Sequence, residues 1–386
     1  MSEPGGSGPI LVWSETLHDY DFGPGHPLTP KRFGPGGELI RAMGVEREME
    51  PEVAGDEAIA RVHEPHYIEQ VKSFSDHPWQ PAAMGVGSND VPAFHDMHEV
   101  SARIVGGSIG GVQRILDGET DHAFSPGGGL HHAMRTRAAG FCVYNDVALA
   151  VATARDAGHR VMYIDLDVHH GDGVQTMFWD DPLVLTFSVH ESGRSLFPGT
   201  GMVEETGGPK APGLTCNVPL DEGVGDETWW AVVNLTVSVL ADMFKPTFIV
   251  SQHGCDTHVL DPLAHLRLTT AVYQQAAQLV DRIAHDHAEG RWFATGGGGY
   301  DAYRVVPRSW ALVWLAQSHR AAPETTPEAW RERWEDPAEA SGQAPLPVEL
   351  VDPPRTAAPD PDVIVSRNLK RARSSLVRSL ELQAGC

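Results

Sequence analysis

Three side chains that can bind a metal ion alternate along one short segment of the sequence: Asp165, Asp167 and His169. The apolar residues before them predict a buried strand over 161–166, and residues two apart in an extended chain point to the same side. Carboxylate oxygens and imidazole nitrogens are ligands that Zn²⁺ takes in proteins, and a catalytic zinc site keeps one position open. A solvated acidic loop is the alternative interpretation, but unpaired charges at the end of a buried strand are unfavourable. The spacing therefore predicts a divalent metal site.

A second polar cluster, residues 251–256, follows the apolar segment 248–250 and ends in Asp256. A single aspartate after a strand more often caps a helix than binds a metal. Beside the first cluster, however, Asp256 can supply a third ligand from a neighbouring strand. We therefore add Asp256 to the predicted metal site.

Two adjacent histidines, His131 and His132, follow the glycines at 127–129. Adjacent histidines are often surface residues, but they can act as a general acid and base when a carboxylate orients each ring. Tyr300 comes directly after a run of glycines at 296–299, and such a run can bind phosphate. Neither GxxxxGK[ST] nor GxGxxG with a suitable acidic residue is present, so a nucleotide site is not predicted.

The elements that must position these residues alternate between strands and helices. Apolar segments predict strands at 161–166, 183–189, 248–250 and 292–294, and the stretches 145–157, 227–244 and 270–287 are typical of helices. Asn145 is a plausible helix cap, and Gly158 follows the end of that helix. The alternation predicts one α/β domain over residues 8–318, with a mainly parallel sheet and helices on both faces. Open sheets of this kind bind ligands at the carboxyl ends of their strands, where the polar clusters fall.

The chain after about residue 318 differs in composition, and we separate residues 319–386 from the predicted domain. Residues 321–362 are rich in Pro, Glu and Ala without apolar periodicity, which is typical of a linker or a segment draped over the surface. Beyond them, Leu369, Ala372, Leu376 and Leu380 recur at helical spacing among basic residues. This basic amphipathic helix either docks on the acidic body or binds a membrane surface or a partner.

The composition limits the class of protein. The 386 residues include 52 Asp and Glu against 29 Lys and Arg, a formal net charge of -23 that disfavours nucleic acid as a partner. The 4 cysteines contain no CxxC pair, which argues against a disulfide framework and a sulfur-ligated zinc site. Neither a signal peptide nor a membrane span is evident. We therefore expect a soluble cytoplasmic protein without a membrane partner.

These segments together resemble the histone deacetylase superfamily, and most of all its bacterial acetoin-utilisation deacetylases. The resemblance runs from His18 to Arg308 and rests on several long motifs in the family's order. The motifs are HDYDFGPGHPLTPKRF, RVHEPHYIEQV, SPGGGLHHAMRTRAAGFCVYNDVALA, YIDLDVHHGDGVQTMFW, TFSVHESGRSLFPGTG, SQHGCDTHVLDPLAHL and TGGGGYD. The resemblance implies a single arginase–deacetylase domain that hydrolyses an acetylated amine to acetate and a free amine.

The resemblance also implies roles for residues that match the motifs. Asp167, His169 and Asp256 match the metal ligands, and Tyr300 matches a tyrosine that polarises the acetyl carbonyl. The tandem histidines and their carboxylate partners are matched by His131, His132, Asp165 and Asp172.

Further matches surround the substrate. Phe141 and Phe197 match the walls of a narrow acyl-lysine tunnel, and Gly140 matches its backbone contact. Asp90 matches an acidic residue at the rim that holds the substrate backbone. Arg32 matches an arginine near the exit path for acetate. A structural K⁺ site is implied at Asp165 and Ser188.

We therefore expect a zinc-dependent protein-lysine deacetylase that acts on an acetylated protein or peptide. One of the tandem histidines is the general base; we favour His132, but the sequence does not separate its role from that of His131. The carboxylate-rich ligand set also suits Fe²⁺ or Co²⁺. An acetylpolyamine amidohydrolase is the second enzymatic interpretation, and an acyl-group binding protein is the non-enzymatic one. The sequence gives no oligomeric state.

Overall fold

A single parallel sheet forms the centre of the molecule in the computed structural model, which describes residues 8–353 and 360–385. In chain order the strands are β1 (Ile10–Val12), β2 (Glu48–Met49), β3 (His122–Ser125), β4 (Val161–Asp165), β5 (Val184–Glu191), β6 (Thr215–Leu220), β7 (Phe248–Gln252) and β8 (Trp292–Thr295). Within the described residues they are hydrogen-bonded in the order β2-β1-β3-β8-β7-β4-β5-β6. Every residue of β4 and β7 is buried, because the sheet is covered on both faces.

The helices divide into two groups, one on each face of the sheet. They are α1 (Phe33–Ala42), α2 (Asp56–Ile59), α3 (Pro65–Asp76), α4 (Met97–Leu116), α5 (Asp146–Asp156), α6 (Asp172–Met177), α7 (Asp226–Phe244), α8 (Thr270–His287), α9 (Val306–Gln317), α10 (Glu328–Ala340) and α11 (Asp362–Ala384). α4 packs on α5, while α1, α9, α8 and α7 pack side by side in that order. The arrangement confirms the predicted α/β fold with helices on both faces of a parallel sheet.

The strands and helices predicted from apolar patterns are present in the structure. The segments 161–166, 183–189, 248–250 and 292–294 correspond to β4, β5, β7 and β8, and the predicted helices correspond to α5, α7 and α8. Asn145 caps α5, because its side chain accepts a hydrogen bond from the backbone N–H of Ala148 at 2.8 Å. Short 3₁₀ helices at Glu15–Asp19 and Pro30–Arg32 precede α1.

Of the two alternatives for 321–362, a linker or a segment draped over the surface, the linker is wrong for residues 328–340, which form α10 and pack against α1. Trp330 is 2% exposed and donates its indole N–H to the carbonyl of Pro35 at 2.9 Å. Trp334, one turn further on, donates to Glu38 at 3.0 Å. A packed helix usually shows aliphatic residues at helical spacing, but the contact face of α10 consists of two tryptophans one turn apart. Residues 354–359 of the same segment lie outside the described residues.

The predicted basic amphipathic helix is α11, and it docks on the body of the protein. It packs against α7 and the edge strand β6, with Ala372 and Leu376 buried. Leu380, the last residue of the predicted stripe, is 38% exposed and does not join this contact fully. Arg371 pairs with Asp221 at 2.8 Å, so the helix covers the sheet edge and brings positive charge to the acidic body.

Cys142, Cys216 and Cys255 are buried free thiols, and Cys386 lies outside the described residues. Among the helices of residues 8–353 and 360–385, none has both the length and the apolar character that a membrane span requires.

Candidate active site and metal centre

The three predicted metal ligands lie together at the carboxyl ends of two neighbouring strands. Asp167 and His169 follow β4, and Asp256 follows β7, which pairs directly with β4. The Nδ1 atom of His169 lies 3.1 Å from Oδ1 of Asp167 and 3.0 Å from Oδ2 of Asp256. All three side chains are buried. The fold therefore assembles the set that the sequence suggested.

Further contacts hold each carboxylate so that one oxygen faces His169. Asp167 accepts hydrogen bonds at Oδ2 from Gln252 Nε2 at 2.6 Å and from the N–H of Gly298 at 2.9 Å. Asp256 accepts one at Oδ1, at 2.9 Å, from a backbone N–H of the loop after β4. A Cβ on Gly298 would lie 2.0 Å from Oδ2 of Asp256, so this close approach requires glycine. Two carboxylate oxygens and one imidazole nitrogen fit a divalent ion with an open position.

The charges around this point favour a cation. Burial and the neighbouring carboxylate of Asp167 raise the pKa of Asp256 to about 6. Burial disfavours the protonated form of His169, but the hydrogen bonds and charges of both carboxylates outweigh it and raise the pKa of His169 well above its usual value. Positive charge is therefore stabilised between the three side chains, as a cation site requires.

Each of the tandem histidines is oriented by its own carboxylate. His131 Nδ1 lies 2.8 Å from Oδ2 of Asp165, and His132 Nδ1 lies 2.7 Å from Oδ1 of Asp172. The Nε2 atoms of the two rings are 3.0 Å apart. Because Nδ1 of each ring faces a carboxylate, Nε2 is the atom left for a substrate or a water molecule.

The two rings differ in charge. Burial disfavours protonation of His131, but the charges of Asp165 and Asp167 outweigh it and raise its pKa to about 9. Burial, together with the charge of His131, lowers the pKa of His132 to about 4. These shifts favour a proton on His131 over one on His132. A neutral imidazole can accept a proton, which suits His132 to the work of a general base.

One pocket joins two of the metal ligands, Asp167 and His169, to the tandem histidines and the tyrosine. Its lining includes Arg32, His131, His132, Phe141, His169 and Tyr300. The ring centroid of Phe141 lies 5.9 Å from that of Tyr300. The pocket therefore combines the apolar ring of Phe141 with the polar groups of the metal ligands and histidines, a lining that suits a side chain ending in a polar group.

The loop of Gly140 and Phe141 shapes the pocket wall. Both residues have positive φ, 55° and 64°, and a Cβ on Gly140 would lie 2.3 Å from Cδ2 of His132. Glycine is therefore required there. Half-buried Asp90 accepts the N–H of Gly140 at 2.7 Å, and the Tyr20 hydroxyl donates to the carbonyl of Phe141 at 2.8 Å. The predicted rim residue thus holds the loop that carries the aromatic wall.

Phe197 and Arg32 lie at different depths around this pocket. Phe197 is 46% exposed, and its ring centroid is 5.0 Å from that of His132, so it stands at the outer side of the site. Arg32 is buried, donates to the carbonyl of Gly297 at 2.7 Å and lies over the ring of Trp310 at 5.6 Å. It lines the pocket from within.

The residues predicted for K⁺ are adjacent in the sheet. Ser188 on β5 lies opposite Asp165 on β4, and its hydroxyl contacts His190 Nδ1 at 2.8 Å. Potassium binding here stays a prediction.

Three buried residues of the site had no role in the sequence prediction. Tyr163 donates its hydroxyl to Oδ2 of Asp165 at 2.6 Å, and it precedes Asp165 by two positions, so the same alternation along β4 would have found it. Gln252 holds Asp167. Asp146 accepts the backbone N–H groups of Gly129 and Leu130 and so fixes the loop before the tandem histidines.

The histone deacetylase domain model matches residues 26–317 of this sequence. A parallel α/β domain with this ligand cluster and this match defines a hydrolase of the deacetylase class. The chain belongs to the histone deacetylase family, which confirms the resemblance that the motifs indicated.

Among named relatives, the acetoin utilization protein AcuC of Bacillus subtilis (strain 168) is 38% identical over 363 residues, which are 89% of this chain and 94% of that protein. AcuC of Staphylococcus xylosus is 35% identical over 332 residues, 84% of this chain and 86% of that protein. The crystal structure of an HDAC homolog from Aquifex aeolicus superposes with a TM-score of 0.83 at 25% identity, covering 95% of this chain and 100% of that one. An HDAC homolog complexed with SAHA gives a TM-score of 0.83 at 26% identity, with the same coverage.

Proposed function

We propose that this protein hydrolyses acetylated lysine side chains of a protein or peptide to free lysine and acetate. The observation that carries the proposal is a single pocket in which the apolar ring of Phe141 lies beside a polar base formed by Asp167, His169, both histidines and Tyr300. An apolar channel suits the methylene chain of lysine, and the polar base suits its acetamide group.

The residues at the base supply the chemistry of amide hydrolysis. Asp167, His169 and Asp256 would hold Zn²⁺, or Fe²⁺ or Co²⁺ with the same ligands, and a bound ion would supply Lewis-acid activation of the acetyl carbonyl and of a water molecule. His132 removes the proton of that water through Nε2 and returns it to the leaving amine. Tyr300 donates its hydroxyl proton to the oxyanion that develops in the transition state.

The remaining residues orient the reacting groups. His131, positively charged beside Asp165, stabilises the negative charge of the transition state. Phe141 and Phe197 exclude water from the lysine chain, and Arg32 offers a cation along the path by which acetate leaves. K⁺ at Asp165 and Ser188 would stabilise the strand ends from which the ligands project.

The substrate class is tested by comparing an acetyl-lysine peptide, a longer-acyl peptide and acetylspermidine on purified protein of measured metal content. The opening loop at 23–33 lacks a long insertion that would narrow the entrance, so we expect the acetyl-lysine peptide to have the highest kcat/KM. A tenfold preference for acetylspermidine, about 1.4 kcal/mol in the transition state, would replace the peptide by a polyamine. Absence of turnover in metal-loaded protein would favour an acyl-group binding protein.

Asp90 provides a sharper test of peptide recognition. In Asp90→Asn the side-chain carbonyl can still accept the N–H of Gly140, so the pocket wall keeps its shape while the negative charge is lost. Hydrogen bonds to charged groups contribute about 1.5–3 kcal/mol, so we expect kcat/KM for the peptide to fall by about 10- to 100-fold. A minimal acetyl-lysine analogue without flanking amides serves as the control and should be affected far less. Equal losses on both substrates would show that Asp90 does not recognise the peptide backbone.

A further inference from the structure

Three histidines and one aspartate meet at the end of the sheet opposite to the active site: His122, Asp281, His285 and His319. His122 is the first residue of β3, whose other end leads to the tandem histidines. Asp281 and His285 lie one turn apart on α8, and His319 follows α9. Their four potential ligand atoms all lie within 4.8 Å of one another.

The four side chains have the spacing of a tetrahedral metal site. Oδ1 of Asp281 lies 3.1 Å from Nε2 of His319, 3.5 Å from that of His285 and 3.6 Å from that of His122. The ring centroids of the three histidines are 5.2, 5.4 and 5.2 Å apart. With zinc bonds of about 2.0–2.1 Å, two ligands of a tetrahedral ion are separated by about 3.3 Å. The three distances from Asp281 are therefore close to the separation between ligands of a tetrahedral zinc ion.

The buried ring of His122 provides an independent indication of a ligand. His122 is 4% exposed, and its Nδ1 lies 2.8 Å from the carbonyl of Gln317, which only an N–H group can approach. The proton is therefore on Nδ1, and Nε2 carries a lone pair directed at the carboxylate of Asp281. Within the described residues this Nε2 has no hydrogen-bond partner. An unpartnered lone pair on a buried nitrogen that faces a carboxylate is unfavourable, and a cation bound between the two groups would be stabilised by both.

The surrounding elements hold the ligands in place before any ion binds. The side chain of Gln317 donates to the carbonyl of Ala123 at 3.1 Å, which fastens the end of α9 to β3. His319 has a φ of 52°, a left-handed conformation that is unusual for histidine and turns its ring towards Asp281. Gly290 lies against the ring of His285, since a Cβ there would be 3.1 Å from its Cε1.

We propose that His122, Asp281, His285 and His319 form a second, structural Zn²⁺ site, distinct from the candidate catalytic ligands. Four protein ligands complete a tetrahedral shell and leave no position for substrate, which is the pattern of structural zinc. Three imidazole nitrogens select a transition metal over Mg²⁺ or Ca²⁺. The ion ties together β3, α8 and the end of α9 at the amino-terminal side of the sheet. The site is independent of the substrate proposed above.

The test uses untagged full-length protein, stripped with a chelator and titrated with Zn²⁺, with metal per chain measured after dialysis. His285→Ala removes a partly exposed ligand from a helix, and His319→Asn keeps a residue type that tolerates the left-handed conformation. His66→Ala, on the exposed side of α3, is the matched control. We expect about two zinc ions per chain in the wild type and in the control, and about one in either cluster variant.

A second measurement isolates the new site from the catalytic one. In Asp256→Ala protein, added Zn²⁺ should still raise the melting temperature, and Co²⁺ should give the visible absorption of a tetrahedral ion. Both signals should vanish when His319→Asn is added to that variant. The proposal is overturned if the cluster variants bind as much zinc as the wild type, or if wild-type protein binds a single ion that is lost with Asp256.

Discussion

Asp256 is the one candidate ligand that comes from β7, and without it Asp167 and His169 leave the coordination shell incomplete. We expect Asp256→Ala to lose the catalytic metal ion and nearly all turnover. The metal content should be measured in a His319→Asn background, where the histidine cluster no longer contributes. Asp286→Ala, an exposed substitution on α8, controls for the loss of one negative charge. A full equivalent of metal retained without Asp256 would contradict the assignment.

Tyr300 is positioned through its backbone, so its hydroxyl can be removed without moving the chain. Its N–H donates to Asp261 at 3.0 Å and its carbonyl accepts from Gln343 at 3.3 Å, while the hydroxyl has no partner in the described part of the chain. Tyr300→Phe should fold normally and lose about 10²–10³ in kcat, the usual effect of one oxyanion donor. Tyr303→Phe, buried nearby but outside the pocket, is the control. Near-normal turnover by Tyr300→Phe would assign the oxyanion to another donor.

Alternation along β4 is a local property, and the order of residue types alone is sufficient to single out Asp165, Asp167 and His169. The contact between Asp90 and Gly140 joins residues 50 positions apart, and no local pattern encodes it. The unpartnered nitrogen of His122 is equally invisible in the sequence, since it depends on how α8 and α9 meet β3. The chemistry of the site could thus be predicted from residue types, but its supporting contacts could not.

The longest apolar segments became the central strands because burial on both faces requires uninterrupted apolar residues. β4, β5 and β7 were predictable for this reason. β2 contains 2 residues, too few to show a period, and β3 begins with a polar residue, His122. Such strands are defined by backbone pairing with their neighbours, which the sequence pattern does not reveal.

α10 tests whether the segment beyond residue 318 contributes to stability. Trp330 is 2% exposed and hydrogen-bonded to Pro35 of α1, so Trp330→Ala creates a cavity and breaks a buried bond. We expect the free energy of unfolding to fall by about 3–5 kcal/mol. Trp79→Ala, at a position that is 78% exposed, should change stability little. Equal urea midpoints for the two variants would show that α10 is only loosely attached.

The acidic body and the basic end of the chain are complementary parts of one folded unit. With a net charge of -23, the acidic residues repel one another in the folded state. α11 brings arginines against Asp221 beside the sheet edge. The amino-acid composition therefore changes at residue 318, but α10 and α11, which follow it, pack against elements that precede it.

Asp352 fastens the segment after α10 to the catalytic body. Its carboxylate accepts hydrogen bonds from His258 at 3.0 Å, from the backbone N–H of Thr270 at 2.9 Å and from buried Arg308 at 2.7 Å. Burial favours the neutral acid, but the hydrogen bond from His258 and the charge of Arg308 outweigh it and hold the pKa of Asp352 well below its usual range. The ionised carboxylate therefore stabilises the folded state, also through its place at the amino end of α8.

This lowered pKa determines how the stability depends on pH. A carboxylate whose pKa is lower in the folded than in the unfolded chain contributes its full stabilisation above the unfolded value, about 3.9, and loses it as the pH falls further. We expect Asp352→Asn to be less stable than the wild type by about 1.5–3 kcal/mol near neutral pH, because it removes hydrogen bonds to a charged group. The difference in the free energy of unfolding between the two proteins should become smaller below about pH 4, where the wild-type carboxylate becomes protonated on unfolding. Urea unfolding of both proteins between about pH 7 and pH 3 measures it, with the exposed Asp286→Asn as the control. A difference that stays constant over this range would mean that Asp352 acts through its shape and not through its charge.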